Sequence, residues 1–213
     1  MPLIRKTPVA VSPVAVSPSG SPPGAEVGAL TTGSDDERWA AARAAADIPG
    51  AAKSLGEAVA RERNPRVREA MFTSLSRISS AEAVESLLPL LRSDDSALRT
   101  GALDALGAMK SVVQPYVAQL MCDHDPDVRL LACELVRTLP DDAACGLLCD
   151  LIGGEIEPNV CAAAVEVLSE VGGPDALPIL AQCAERFRAI PFLVFAIKTT
   201  ADRIRLQPSQ QRG

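Results

Sequence analysis

The chain has 213 residues, 47% of them apolar but only 3% aromatic, and alanine supplies much of the apolar fraction, a profile suited to closely packed helices. No run of about 18 apolar residues occurs, and Met1–Lys6 leads into prolines, so neither a membrane span nor a signal core is expected and the cytoplasm is the expected location. The net charge of −6 conceals an asymmetry: residues 34–92 carry nine basic and nine acidic groups, residues 94–183 four and fifteen, and residues 184–213 six and two. A centre at −11 and an end at +4 is the wrong sign for a phosphate-binding surface, so nucleic acid is not an expected partner.

Residues 1–33 are rich in Pro, Ser and Gly and contain the tandem pentads Val9–Pro13 and Val14–Pro18. With no apolar face for a helix, this arm is expected to be disordered or extended, as a tether or as a docking or export segment read by another protein. Order is expected to begin at Ser34, where Glu37 three residues later completes a capping box ahead of an alanine-rich run. From there a pattern recurs. Glu37, Val67, Leu98, Val128 and Val160 occupy one slot, spaced 30, 31, 30 and 32 residues apart.

Counting from that slot, position +4 reads Ala41, Met71, Ala102, Ala132, Ala164 and position +8 reads Ala45, Leu75, Leu106, Val136, Leu168. Position +11 reads Ile48, Ile78, Met109, Leu139, Val171, completing one apolar helix face kept through five copies. Each first helix is followed by a break and a second apolar run: residues 51–61, 81–92, 112–122, 141–152 and 175–186. Asn64-Pro65, Asp94-Asp95, Asp125-Pro126 and Glu157-Pro158 separate the units with Asx caps and first-turn prolines. Unit 1 departs by placing Glu37 at the branched apolar slot, which suits a terminal repeat with one neighbour. Residues 191–206 give a last helix with Leu193, Ile197, Ala201 and Ile204 on one stripe; residues 207–213 are expected to be a disordered tail.

Asn64-Pro65-Arg66-Val67-Arg68 and Asp125-Pro126-Asp127-Val128-Arg129, followed by alanine-rich spacing and a Leu-Leu helix, resemble the HEAT repeat family, in its short, phycobilin-lyase-type form. The resemblance covers about residues 34–186. It implies an all-α fold, a right-handed α-solenoid of about five two-helix HEAT-like repeats with a C-terminal capping helix over residues 34–206. It further implies that the second helices line a concave, partner-binding face, while the function itself does not transfer with the fold.

Arg38, Arg68, Arg99 and Arg129 recur at one slot and are read as inter-repeat ties to nearby carboxylates, with Asp95 and Asp125 as partners, and not as a ligand ladder. The one histidine, His124, lies in a turn between Asp123 and Asp125, and no catalytic triad, HExxH or phosphate loop is visible, so no enzyme, catalytic residue or cofactor is expected. The six cysteines lie inside predicted helices and do not form a disulfide framework. Cys145 and Cys149, one helical turn apart, are placed on the outward face with Leu147, Leu148 and Leu151 inward.

The reading that follows is a non-enzymatic adaptor or scaffold holding a basic or amphipathic protein segment on an acidic concave face. That face comprises Glu85, Gln114, Gln119, Asp142, Cys145, Cys149, Gln182 and Glu185. Two alternatives stand beside it: a bilin or metal carrier using Cys145 and Cys149, although zinc-type spacing is absent, and a homo-oligomeric element whose basic tail, Arg203–Arg212, meets the acidic face of another copy.

Overall fold

The computed structural model describes residues 28–206 and consists of α-helices and short 3-10 turns. In chain order the helices are α1 (Asp35–Ala44), α2 (Ala51–Val59), α3 (Pro65–Ile78), α4 (Ala81–Leu87), α5 (Ser96–Ala108) and α6 (Lys110–Met121). They continue with α7 (Pro126–Val136), α8 (Asp141–Gly154), α9 (Pro158–Val171), α10 (Leu177–Arg186) and α11 (Pro191–Leu206). The arm and tail expected to be disordered lie outside the described residues, except for residues 28–33. Those form a turn that buries Leu30.

Local chemistry places the helix starts. Ser34 and Glu37 form the capping box, with the Ser34 amide donating to Glu37 at 2.7 Å. Asn64 accepts from the amide of Arg66 at 2.9 Å, Asp95 from Ala97 at 2.8 Å and Asp125 from Asp127 at 3.0 Å, each satisfying an orphan first-turn N–H. Pro65, Pro126 and Pro158 occupy first-turn positions, where the missing N–H costs nothing. One expected helix is shorter than its apolar run. The segment 81–92 is α-helical only to Leu87 and continues as a 3-10 turn over Leu88–Arg92, because Pro89 has no N–H to give and its ring opposes the preceding turn.

Two layers result. The first helices α1, α3, α5, α7 and α9 stack in sequence, and the second helices α2, α4, α6, α8 and α10 form the other layer. This is a right-handed α-solenoid of five helical hairpins. The last helix, α11, packs on α9 and α10 and so extends the first-helix layer as its final member. The slot residues Val67, Leu98, Val128 and Val160 are buried, as are Met71, Ala102, Ala132 and Ala164 at +4 and the whole +8 row. Glu37 is exposed at the head of α1, in keeping with a repeat that has a neighbour on one side only.

Candidate partner-binding surface

The connecting loops are built around buried acceptors. Each slot arginine reaches back to the loop before its own helix: Arg68 donates to the Glu62 carbonyl at 2.7 Å, Arg99 to that of Ser93 at 2.5 Å and Arg129 to that of Asp123 at 2.8 Å. Two of them also reach a buried carboxylate one unit on. Arg38 Nε lies 2.7 Å from Glu62 and Arg129 Nε 2.7 Å from Glu155, and both carboxylates are buried. Each carboxylate also accepts two backbone amides of its own loop, Arg63 and Asn64 at 2.8 Å for Glu62, Ile156 and Glu157 at 2.9 Å for Glu155.

The hydrogen bond from Arg38 outweighs burial and holds Glu62 down at about 2. For Glu155, burial pushes upward, but Arg129 and the two amides win and the net shift is downward. Asp95 does receive Arg68, at 3.1 Å. Asp125 instead spends its carboxylate on the α7 cap, and Arg99 has no carboxylate within 4 Å among the described residues. Glu62 and Glu155 were not legible as partners from charge alone; the signal is their slot, five residues before the first core residue, filled in turn by Glu62, Ser93, Asp123 and Glu155.

Most ion pairs lie on the first-helix layer and its loops: Asp36 with Arg66, Asp47 with Arg77, Asp123 with Arg92, and Arg137 with both Glu134 and Glu170. The second-helix layer differs. Along α4 and α8 the exposed Glu82, Glu85, Asp141, Asp142 and Asp150 have no basic group within 4 Å among the described residues. Glu85 instead accepts from the Tyr116 hydroxyl at 3.1 Å, bridging α4 and α6, and burial together with that carboxylate raises the phenol pKa.

Of the other expected surface residues, Gln119, Asp142 and Gln182 are exposed, and Glu185 is exposed but paired with Arg188 at 3.0 Å. Gln114 is half-buried and donates to the Thr138 carbonyl at 2.6 Å, tying α6 to the end of α7.

Cys145 and Cys149, expected on the outward face, are only partly exposed. The inward row of α8 is Ala144, Leu148 and Ile152, and the two thiols flank it, half-buried against the core. Burial and then the neighbouring Cys145 push the Cys149 thiol up to about 12, so it is protonated and a poor metal ligand or nucleophile at neutral pH. No cluster of three or more His, Cys, Asp or Glu suited to a metal occurs among the described residues. Cys133, Cys161 and Cys183 are buried core residues.

Two grooves on the first-helix layer were not anticipated. One, of about 390 Å³, holds Trp39 between the guanidinium groups of Arg43 at 5.0 Å and Arg66 at 4.7 Å. The other, of about 620 Å³, lies between α3 and α5 over Phe72, with Arg68, Glu69 and Asp104 at its edges. Phe72 fits there because Gly101 has no Cβ; one added at Gly101 would overlap the ring. The sequence signal was a large residue at +5 of unit 2 facing the smallest residue at +3 of unit 3.

Among the described residues no helix is long and apolar enough to cross a membrane. A search of curated proteins returned no match to the sequence. In structure, the chain is similar to one from work on microtubule plus-end tracking by XMAP215, CLIP-170 and EB1, with 15% identity, 86% of this chain and 92% of that one covered, and a TM-score of 0.57. It is similar more distantly to an engineered protein (18% identity, 88% and 100% covered, TM-score 0.44) and to the CpcE–CpcF complex of phycocyanin lyase from Nostoc sp. (15%, 95% and 100%, TM-score 0.38). At these identities the first similarity speaks for the fold alone. The profile described as HEAT repeats matches residues 52–120 and 113–189, and together with the five stacked hairpins this establishes that the chain belongs to the HEAT repeat family.

Proposed function

We propose that this protein is a non-enzymatic adaptor or scaffold that holds a basic or amphipathic segment of a protein partner on its second-helix layer, the face that lines the concave side in this repeat class. The observation that carries the proposal is the contrast in how carboxylates are used. On the first-helix layer and in the loops many are engaged by arginine, although Glu69, Asp104, Asp127 and Glu166 are not, whereas on α4 and α8 none of the exposed Glu82, Glu85, Asp141, Asp142 and Asp150 has a basic partner among the described residues. Carboxylates left without counter-charges on one face create a field that draws a cationic segment and accelerates its encounter. Gln119 and Gln182 on the same layer add neutral donors and acceptors able to read a bound backbone.

The test is fluorescence anisotropy with a short lysine-rich amphipathic peptide. The variant Glu82→Gln/Glu85→Gln/Asp142→Asn/Asp150→Asn should bind about tenfold more weakly than wild type, and binding should weaken with added salt. A variant with the same charge change on the first-helix layer, Glu69→Gln/Asp104→Asn/Asp127→Asn/Glu166→Gln, should retain most of the affinity. Equal losses from the two variants would show that only net charge matters and would remove the second-helix layer as the site.

A further inference from the structure

Three of the four large hydrophobic side chains most exposed among the described residues lie on α11: Phe192 at 55%, Phe195 at 71% and Leu206 at 82%. At about 100° per residue they form one stripe with Thr199 and Arg203. That stripe lies on the side of the helix away from Leu193, Ile197, Ala201 and Ile204, which are buried against α9 and α10. It is symmetric in spacing. Phe192 and Leu206 each lie seven positions from Thr199, and Phe195 and Arg203 each lie four positions from it.

A two-fold contact requires a patch that complements itself, and this spacing supplies one. We propose that α11 is a self-association site, where two copies of the chain pack their α11 helices antiparallel about a two-fold axis at Thr199. In that register Phe192 meets the partner's Leu206, and the Phe195 ring meets the partner's Arg203, a cation over an aromatic face. Lys198 and Asp202 lie on one flank of the stripe, where Asp202 also holds Arg205 at 2.8 Å, and antiparallel helices bring like flanks together, so each lysine approaches the other copy's Asp202–Arg205 pair. The occupant is a second copy because every feature of the stripe has its complement at the same distance on the other side of Thr199. An anionic lipid surface fits less well because the larger apolar face of α11 is already buried.

A contact along one helix of 16 residues, about 24 Å long, buries less than the roughly 1,600 Å² of a standard interface, so the dimer belongs in the micromolar range. The surface is separate from the proposed partner face, and the test is independent of it.

Sedimentation velocity of the full chain should show mass rising from monomer to dimer between about 1 and 100 µM. The variant Phe192→Asp/Leu206→Asp, with circular dichroism and Tm unchanged because both side chains are exposed, should weaken association at least about tenfold. Phe192→Asp/Leu206→Lys should restore it, because the antiparallel register sets opposite charges face to face. In a Cys122→Ser background, Thr199→Cys should give a covalent dimer with diamide as oxidant. A wild type that stays monomeric throughout, a dimer indifferent to Phe192→Asp/Leu206→Asp, or a monomer that floats with anionic phosphatidylserine vesicles through Phe192 and Phe195 would each overturn the proposal.

Discussion

Replacing Glu62 with glutamine keeps the shape of a buried side chain while removing its charge, and the structure sets what this costs. The carboxylate holds Arg38 at 2.7 Å and 3.1 Å and accepts the amides of Arg63 and Asn64, and its pKa falls from an ordinary 4.5 to about 2. A folded-state pKa depressed below the unfolded value contributes stability that is complete above the unfolded pKa and is lost as pH falls through the folded one. At 1.36 kcal/mol per pKa unit, the charged form of Glu62 contributes about 3 kcal/mol above pH 6, roughly half of that at pH 3 and little at pH 2. Urea unfolding of wild type and Glu62→Gln across that range isolates this one group, because other titrations cancel in the difference. The expected gap is about 3 kcal/mol at pH 7, closing on acidification. A gap below about 1 kcal/mol at pH 7, or one that persists at pH 2, would refute the assignment of Glu62 as the charged tie between units 1 and 2.

Gly101→Ala should destabilise the protein by about 1–3 kcal/mol despite alanine's better helix propensity, since the new Cβ overlaps the Phe72 ring. The effect should shrink in a Phe72→Leu background, and additive losses in that double-mutant cycle would contradict the contact. Leu148→Ala, at the fully buried centre of α8, should cost about 2–5 kcal/mol by urea titration. Under iodoacetamide at neutral pH, exposed Cys122 should be modified well before Cys149, whose thiol is pushed up to about 12; equal rates by mass spectrometry would show that the α8 thiols are reactive after all.

The stack was legible because it is periodic. Val67, Val128 and Val160 with Ala102, Ala132 and Ala164 recur at fixed offsets, and only a buried helix face requires that. Caps were legible for the same reason, since Asn64, Asp95 and Asp125 stand three residues before the core slot and bind first-turn amides there. The electrostatic ties were only partly legible. Arginine partners depend on loop geometry: Arg38 holds buried Glu62 as well as neighbouring Asp35, and Arg129 takes buried Glu155, because the loop amides converge on these two glutamates and fix them in place. On α8 the error was rotational: the Leu147-Leu148 pair fits two registers, and the one adopted buries Ala144, Leu148 and Ile152. Trp39 and its flanking arginines were missed because Arg43 lies on the same helix but Arg66 comes from the next unit.

The proposed docking face is the second-helix layer and not the first. Hydrogen exchange of the full chain with and without the lysine-rich peptide tests it most directly. Added protection should fall on α4, α6, α8 and α10, centred on Glu85 and Asp142–Asp150, with α3, α5, α7 and α9 unchanged. Protection confined to the grooves of Trp39 and Phe72 on the first-helix layer would contradict it.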